Sequence, residues 1–276
     1  LFFDLLFKKY EYKHTFLIKN KETLNQITNN LYKERIIDNQ FIFKVIIKLG
    51  LIEKKLKAGE YVFYGNNILQ IIKKISIGDV HLRKITIPEG LTTKEIIDII
   101  KAEEGIKIKS NVSESIREGA LFPSTYFYTY GTNFNIIIEK MKKRMDSTLL
   151  NAWNERDHDL KLSNSYEVLI LASIIEKETS LREERAKIAE VFLNRLKINM
   201  RLQSDPTVIY GLKIANKDIK DLKKIHLEHK SDFNTYLNYG LPKDPICNPG
   251  QDSIIAVTKP SKGDLLYFVS NGNGWA

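Results

Sequence analysis

Two glutamates that close a long apolar run are the side chains in this sequence best suited to acid–base chemistry. Residues 168–175 (VLILASII) are all apolar or small, and Glu176, Lys177 and Glu178 follow them directly. A carboxyl at the edge of an apolar core loses water, which disfavours its ionised form and raises its pKa. A carboxylic acid that stays protonated near neutral pH can act as a general acid.

The spacing of these residues predicts one helix, over 165–179, that runs through the core. A helix that is apolar on every side is buried. Glu178 follows Ile174 by one turn, whereas Glu176 shares a face with Ala172. At least one carboxylate is therefore expected at the edge of the core. The alternative is that both glutamates simply mark where a core helix reaches solvent, and periodicity alone does not exclude it.

A polar cluster follows at 189–211 (AEVFLNRLKINMRLQSDPTVIYG). Asp205 and Pro206 favour a turn, Pro206 can begin a short helix, and Asp205 or Ser204 can cap it. The simpler interpretation is a cap and a turn, with Arg201 solvated. The functional interpretation is a polar wall whose amides and hydroxyls fit sugar hydroxyl and N-acetyl groups. The cluster consists of Asn194, Arg195, Arg201, Gln203, Ser204, Asp205 and Thr207.

Three further segments could contribute to a binding site. Residues 120–135 (ALFPSTYFYTYGTNFN) carry six aromatic residues in a loop-like stretch, suited either to stacking on sugar faces or to a packed aromatic corner. Asn234-Thr235-Tyr236 and the proline-rich 240–250 predict rigid polar loops that can position a ligand. Leu265–Val269 (LLYFV) predicts a buried strand.

Other chemistries find little support in the sequence. The single cysteine, Cys247, excludes an internal disulfide and a cysteine-cluster zinc site. The sequence has no GxSxG, P-loop or GxGxxG motif, so nucleophilic hydrolases of that type and nucleotide enzymes are not expected. No metal and no cofactor is expected, because none of the histidines has HExxH spacing: His14, His81, His158, His226 and His229.

Charge and hydropathy restrict the partners and the compartment. The 276 residues carry a formal net charge of +9, which favours an anionic partner, although a solvated lysine-rich surface accounts for most of it. Nucleic acid is not expected, since no basic helix or RNA-reading motif appears. The sequence has no apolar run of about 18 residues that could span a bilayer.

The elements predict an α+β fold. A strand at 14–18, helices within 22–37 and 39–49, and a strand within 56–64 form a small unit, followed by a helix from Ile68. A strand at 85–88 and a helix at Leu91–Lys101 open the second part, with the boundary between Gly78 and Ser110 and a loop over Ile106–Glu118. Longer helices are predicted at Ile136–Arg156, Ser165–Thr179 and Glu183–Ile198.

Five blocks in one order closely resemble the MltG (YceG-like) family of endolytic murein transglycosylases. The resemblance covers roughly residues 10 to 276, and at the N-terminus it rests on KAGEY and the element order. It implies a small LysM-like strand–helix–helix–strand subdomain at 10–80 and a larger mixed catalytic domain at 81–276. The blocks are EGALFPSTYFY, ASIIEKETS, EERAKIAEVFLNRLKINMRLQSDPTVIYG, FNTYLNYGLPKDPICNPG and LLYFVSNGNG.

The resemblance also implies the chemistry. In that family the catalytic glutamate directly precedes Thr in the EKET motif, which is Glu178 here. The implied reaction cleaves the β-1,4 bond between N-acetylmuramic acid and N-acetylglucosamine in nascent strands, and the sugar's own C6 hydroxyl replaces water. Glu178 acts first as acid and then as base, leaving a 1,6-anhydro end. The residues expected to position the substrate are Asn194, Gln203, Ser204, Asp205, Asn234 and Tyr236.

The resemblance further implies a place in the cell. It predicts a protein held in the cytoplasmic membrane by one N-terminal helix that this sequence lacks, with this part on the periplasmic side. Both ends look like cuts in a longer chain, and the family usually continues beyond Gly274. Glycan strands are the expected partner, with cell-wall synthases such as penicillin-binding proteins as candidate protein partners. The alternatives are an inactive glycan-binding scaffold and a muramidase that uses water.

Overall fold

The structure, a computed structural model, describes residues 6, 8–9, 12–50, 56–108, 116–217, 219 and 221–268. It has helices and three small two-stranded sheets in the described residues, which confirms the α+β class. The chain divides into two compact units. The first comprises Leu1–Ile85, Glu103–Lys107 and Tyr126–Asn133, and the second comprises Thr86–Ala102, Ile108–Thr125 and Phe134–Ala276.

The first unit is built on an antiparallel pair of strands covered by helices. Thr23, Asn39 and Asn67 each accept a backbone N–H with their side chain and so begin the three helices. The predicted order of strand, two helices and strand is confirmed. The elements are β1 (His14–Ile18), α1 (Leu24–Lys33), α2 (Gln40–Leu49), β2 (Gly59–Phe63) and α3 (Ile68–Ile77).

Short strands follow between the helical parts of the chain. β3 (Arg83–Thr86) pairs with β5 (Thr125–Tyr128), and β4 (Ile106–Lys107) pairs in parallel with β6 (Thr132–Asn133). The expected loop at Ile106–Glu118 therefore begins with a strand, and its residues 109–115 lie outside the described residues.

The second unit is helical, and one helix lies at the centre of its core. The predicted burial of residues 168–175 is confirmed, since each of the eight is buried. Six of them, all except Ile170 and Ser173, pack with Phe192, Leu202 and Ile254 in one cluster. The helices are α4 (Thr93–Ala102), α5 (Phe134–Asn154), α6 (Ser165–Glu178), α7 (Arg182–Lys197), α8 (Asp205–Ile214) and α9 (Gln251–Thr258). None of the helices in the described part of the chain has the length and apolar content of a membrane span.

The aromatic segment at 120–135 packs more than the loop interpretation predicts. It contains β5 and β6, and four of its six rings are buried, whereas Phe127 is 58% exposed. For these four rings the structure therefore agrees with the packed aromatic corner and not with exposed platforms for stacking on sugars. The buried rings are Phe122, Tyr126, Tyr128 and Phe134.

The prediction of a buried strand at Leu265–Val269 is wrong over its described part, 265–268. No strand forms there, and Tyr267 is 68% exposed. The backbone instead binds side chains of α7: the Leu265 N–H donates to Glu190, and the Leu266 carbonyl accepts from Arg195. Because these side chains satisfy the backbone, the apolar sequence needs no neighbouring strand.

Gly119 allows a close approach that a methyl group would prevent. Its φ is +79°, and a Cβ there would lie 2.8 Å from Pro245 Cγ and 2.9 Å from Pro245 Cβ. Gly240 has the same φ of +79°, but a Cβ added to it would have no described atom within 4 Å, so it serves as the matched control. We expect Gly119→Ala to cost about 3 kcal/mol of unfolding free energy and Gly240→Ala about 1 kcal/mol, measured by urea denaturation. Equal losses would show that the contact with Pro245 costs nothing.

Candidate active site

Glu178 is the last residue of α6, where the chain leaves the core. Thr179 is extended, with φ −148° and ψ 141°, and so ends the helix. The buried Thr179 hydroxyl donates to Glu184 at 2.8 Å and accepts the Leu181 N–H at 3.0 Å. These contacts fix the turn, and they therefore fix the helix end from which the Glu178 side chain extends.

The Glu178 carboxyl is partly buried and carries one side-chain hydrogen bond. The Ser204 hydroxyl donates to its Oε1 at 2.5 Å. The pKa of Glu178 is raised to about 7, mainly because burial disfavours the ionised form. The charge of Asp205 acts in the same direction, while the Ser204 hydrogen bond and the Arg195 charge oppose the rise. Near neutral pH this carboxyl can therefore both hold and accept a proton.

Ser204 takes the N-cap position of α8 but does not cap the helix with its side chain. The residue is 1% exposed, and its hydroxyl is directed to Glu178 instead of to the first turn. Its N–H donates to Thr235 Oγ1 at 2.9 Å, and that oxygen also shares a hydrogen bond with the Thr207 hydroxyl at 2.9 Å. The backbone of Ser204 is thus fixed by Thr235 and its hydroxyl is bonded to Glu178, so the hydroxyl has a defined orientation.

Two chain segments, 201–205 and 234–239, form what we call the polar ledge. The Gln203 N–H donates to the Thr235 carbonyl at 3.1 Å, and the Tyr236 hydroxyl donates to Asp205 Oδ1 at 2.6 Å. Gln203 has a φ of +50°, a strained conformation for a residue other than glycine. Its exposed side chain and that of Asp205 remain accessible on the ledge that carries Ser204.

Two of the residues predicted to bind substrate have side chains that instead form hydrogen bonds to the protein backbone. The first is Asn234. It is fully buried, its amide nitrogen donates at 2.8 Å to the carbonyls of Leu227 and His229, and its oxygen accepts the Tyr236 N–H at 2.9 Å. Asn234 therefore positions Tyr236.

The second, Asn194, lies apart from the ledge contacts. Its amide donates to the carbonyls of Gly263 at 3.1 Å and Leu265 at 3.0 Å. It also lines a cavity of about 1310 Å³ whose wall does not include Glu178. The structure thus brings Gln203, Asp205 and Tyr236 together with Ser204, the partner of Glu178, whereas the Asn194 amide is bonded to the segment at 263–265.

Glu176, the other candidate, is fully engaged in structural contacts. Its side chain is 5% exposed and lies 3.1 Å from Arg185 Nη2. Its second oxygen accepts the Gly250 N–H at 3.0 Å and the Ser253 hydroxyl at 2.7 Å. A buried carboxyl held by one cation and two further donors is suited to anchoring the structure, because both of its oxygens already accept hydrogen bonds from the protein.

Arg195 and Thr235 help to build the site, although the sequence analysis named neither among the expected substrate residues and placed them only in a polar cluster and a polar loop. Arg195 is 7% exposed, and its guanidinium donates to the carbonyls of Leu202 and Leu266. It thus ties the start of the ledge to α7 and places a positive charge near Glu178. Both residues stand in segments that the sequence marked as polar, but their partners are distant in sequence.

The rest of the titratable groups give no sign of a metal centre. Among the described residues, no group of three or more histidine, cysteine, aspartate or glutamate side chains could hold an ion. Cys247 is buried, donates to the Ser173 carbonyl at 3.3 Å, and has its pKa raised by burial. It packs as a small core residue.

We expect Ser204→Ala to shift the pH dependence of catalysis. Removing a hydrogen bond that favours the ionised carboxylate raises the pKa of Glu178 further. The alkaline limb of the pH–rate profile should shift upward and the rate should fall by roughly tenfold, because the carboxylate formed in the reaction loses its donor. Thr207→Ser is the control, because serine keeps the hydroxyl that shares a hydrogen bond with Thr235 Oγ1. An unshifted limb would contradict a direct role for the Ser204 bond.

The sequence of this chain is similar to those of known proteins. The YceG-like family model matches residues 16–275. The endolytic murein transglycosylase of Bacillus subtilis is 42% identical over 158 residues, which are 57% of this chain and 42% of that protein. The protein of the same name from Streptococcus pneumoniae is 32% identical over 171 residues, which are 61% of this chain and 30% of that protein. The matches thus span less than half the length of these curated relatives.

A solved structure agrees with the fold over nearly the whole chain. The crystal structure of a yceG-like protein from Listeria monocytogenes is 32% identical, with a TM-score of 0.58, and the likeness covers 96% of this chain and 94% of that one. The family match covers almost every residue, and the glutamate, the serine and the polar ledge lie within it. On this basis, the chain belongs to the YceG-like family.

Proposed function

We propose that this chain is a lytic transglycosylase of murein. It cleaves the β-1,4 bond between N-acetylmuramic acid and N-acetylglucosamine inside glycan strands and leaves 1,6-anhydro ends. The observation that supports this most is a partly buried Glu178 with a pKa of about 7, beside an ordered hydroxyl and a polar ledge. The relatives named endolytic murein transglycosylase support the substrate class.

One carboxyl suffices for both proton transfers in this reaction. Protonated Glu178 gives its proton to the glycosidic oxygen as the bond from C1 to that oxygen breaks. The C6 hydroxyl of the same sugar then attacks C1, and the Glu178 carboxylate takes the C6 proton, which restores the acid. An ordinary glycosidase needs a second carboxylate for water or for covalent attack. Here the nucleophile is part of the substrate, so its effective concentration is high.

The neighbouring groups have distinct proposed tasks. Ser204 donates to the carboxylate that exists between the two proton transfers, and Arg195 lowers the cost of that charge. Asp205, held by Tyr236, offers negative charge for the oxocarbenium-like carbon.

Gln203, Asp205 and Tyr236 bind the sugars directly, whereas Asn234 positions Tyr236. Asn194, first expected at the substrate, is proposed to order the segment at 263–265.

The setting of the reaction belongs to the same proposal. The enzyme acts on the outer side of the cytoplasmic membrane, where murein lies, and a helix outside this sequence anchors it. The first unit is proposed to be the LysM-like subdomain and the second the catalytic domain. Glycan strands are the main partner, and cell-wall synthases are candidate protein partners.

Mass spectrometry of new glycan ends tests the reaction. Purified murein is digested with the protein, with Glu178→Gln as the control for contaminating enzymes. New 1,6-anhydro ends inside long strands, formed only by the unaltered protein, are the expected result. New reducing ends would replace the proposal with a water-using muramidase. Glycan binding without cleavage would replace it with a scaffold.

A further inference from the structure

Arg201 on the polar ledge has a charge with no counterion among the residues that the structure describes. Its guanidinium lies over the Tyr239 ring, with 4.5 Å from Cζ to the ring centroid. Its Nε is buried and has no hydrogen-bond partner in the described part of the chain. Arg201 also takes part in none of the ion pairs found among the described residues.

These features are unusual for an arginine that is merely solvated. A buried donor without a partner costs about 1–3 kcal/mol, so native proteins rarely leave one. The ring below the guanidinium limits its motion and holds its plane in one orientation. Arg201 as a whole is only partly buried, so part of the residue reaches solvent.

The position of Arg201 relates it to the proposed reaction. Arg201 and its ring partner Tyr239 belong to the two segments of the ledge. Segment 201–205 also carries Ser204, whose hydroxyl contacts Glu178 at 2.5 Å, and segment 234–239 also carries Tyr236. The nearest acid in sequence, Asp205, is already bonded to Tyr236 at 2.6 Å. A strand lying along the ledge past Glu178 would therefore meet an oriented, unneutralised guanidinium.

We propose that Arg201 binds a carboxylate of the glycan strand and thereby selects substrates that carry acid groups. This rests on the proposed function and names a further recognition group of the same site. A planar fork of donors matches a carboxylate with two parallel hydrogen bonds. In murein that carboxylate is either the lactyl acid of a muramic acid freed of its peptide or an acid of the stem peptide.

Three forms of one polymer test the proposal: intact murein, stem-free strands with free lactyl acids, and stem-free strands whose acids are converted to methylamides. The protein is compared with Arg201→Gln and Arg201→Lys. Arg156→Gln is the matched control, because it also removes one guanidinium that lies over a ring, with 3.8 Å to the Trp153 centroid. The readouts are kcat and KM, and strand binding in a Glu178→Gln background, which needs no chemistry.

Arg201→Gln should raise KM and weaken binding by roughly ten- to a hundredfold on acid-bearing strands, with kcat nearly unchanged. Arg201→Lys should recover only part of this, since a point charge lacks the fork. On the amidated strands the unaltered protein and Arg201→Gln should be equal. A loss on intact murein alone identifies the stem acid, and a loss on stem-free strands identifies the lactyl acid.

Two results would overturn the proposal. One is an equal loss on acid-bearing and amidated strands, which would make Arg201 a structural residue. The other is no loss on any strand. If the unaltered protein forms no anhydro ends, the proposed reaction fails separately, and the binding measurements in the Glu178→Gln background still decide the role of Arg201.

Discussion

Glu178→Gln is expected to reduce the turnover of murein by about a thousandfold or more while the fold persists. General acid–base catalysis contributes roughly 10²- to 10⁴-fold, and in the proposed reaction one group serves both proton transfers. Glutamine has the same shape and still accepts the Ser204 hydroxyl, whose oxygen lies 2.5 Å from Glu178 Oε1. The measurement is the rate of 1,6-anhydro ends, with circular dichroism as the check on folding.

The same substitution should change how stability depends on pH. The pKa of Glu178 is about 7 in the folded protein against an ordinary value of 4.5. Below pH 4.5 both states are protonated, whereas between 4.5 and 7 only the folded state retains the proton, so stability falls as pH rises through this window. Glutamine does not titrate. Above pH 7, Glu178→Gln should therefore be more stable than the unaltered protein, by on the order of 3 kcal/mol.

The pH dependence of the rate follows from the same carboxyl. Because the first step needs the protonated acid, kcat/KM should fall as pH rises above about 7. Denaturation at several pH values and the pH–rate profile give two independent views of one group. A Glu178→Gln protein that stays active, or whose stability follows the same pH curve as the unaltered protein, would contradict the assignment.

Glu176→Gln, the same change two residues earlier, should damage stability and not chemistry. Its carboxylate is 5% exposed and pairs with Arg185, which is also buried. Breaking one side of a buried ion pair costs about 3 kcal/mol, at the lower end of the usual range, because Arg185 keeps a longer contact of 3.7 Å with Glu89 and the amide keeps part of the hydrogen bonding. Urea denaturation measures this loss. Cleavage per folded molecule should remain within about threefold of the unaltered protein, in contrast to Glu178→Gln.

The pair of variants therefore distinguishes the two glutamates with one chemical change. If Glu176→Gln lost turnover at full stability and Glu178→Gln lost stability at full turnover, their roles would be exchanged. Arg185→Lys gives a further check on the ion pair with Glu176. It keeps the charge beside Glu176 but removes the guanidinium fork, so it should fall between the unaltered protein and Glu176→Gln in stability.

Local pattern determined the elements of this fold. The run at 168–175 has no polar side on a helix, so it has to be buried, and it is. Asn67 and Gln70 form the box that begins α3, and Gly78 ends it at a φ of 77°. Each of these signals depends on residues within a few positions of each other, and for that reason the sequence reports them directly.

Predictions from local pattern were wrong where residues distant in sequence contact each other. Leu265 and Leu266 have strand-like composition, but side chains of α7, more than 70 positions away, satisfy their backbone. Asn234 has the chemistry of a sugar ligand, yet its donors and acceptor are used inside its own loop. Composition specifies what a side chain can bind, whereas packing decides which partner reaches it.

By itself the sequence determined an α+β protein with a carboxyl pair at the end of a core helix and a polar segment after it. Residues two positions apart on a helix point in different directions, but spacing does not reveal what each direction meets. Only the tertiary structure decided that Glu176 meets Arg185 and Ser253, and that Glu178 meets the Ser204 hydroxyl and little water. A partly buried carboxyl that no described cation bonds favours its protonated form, so these long-range contacts give the two glutamates different surroundings.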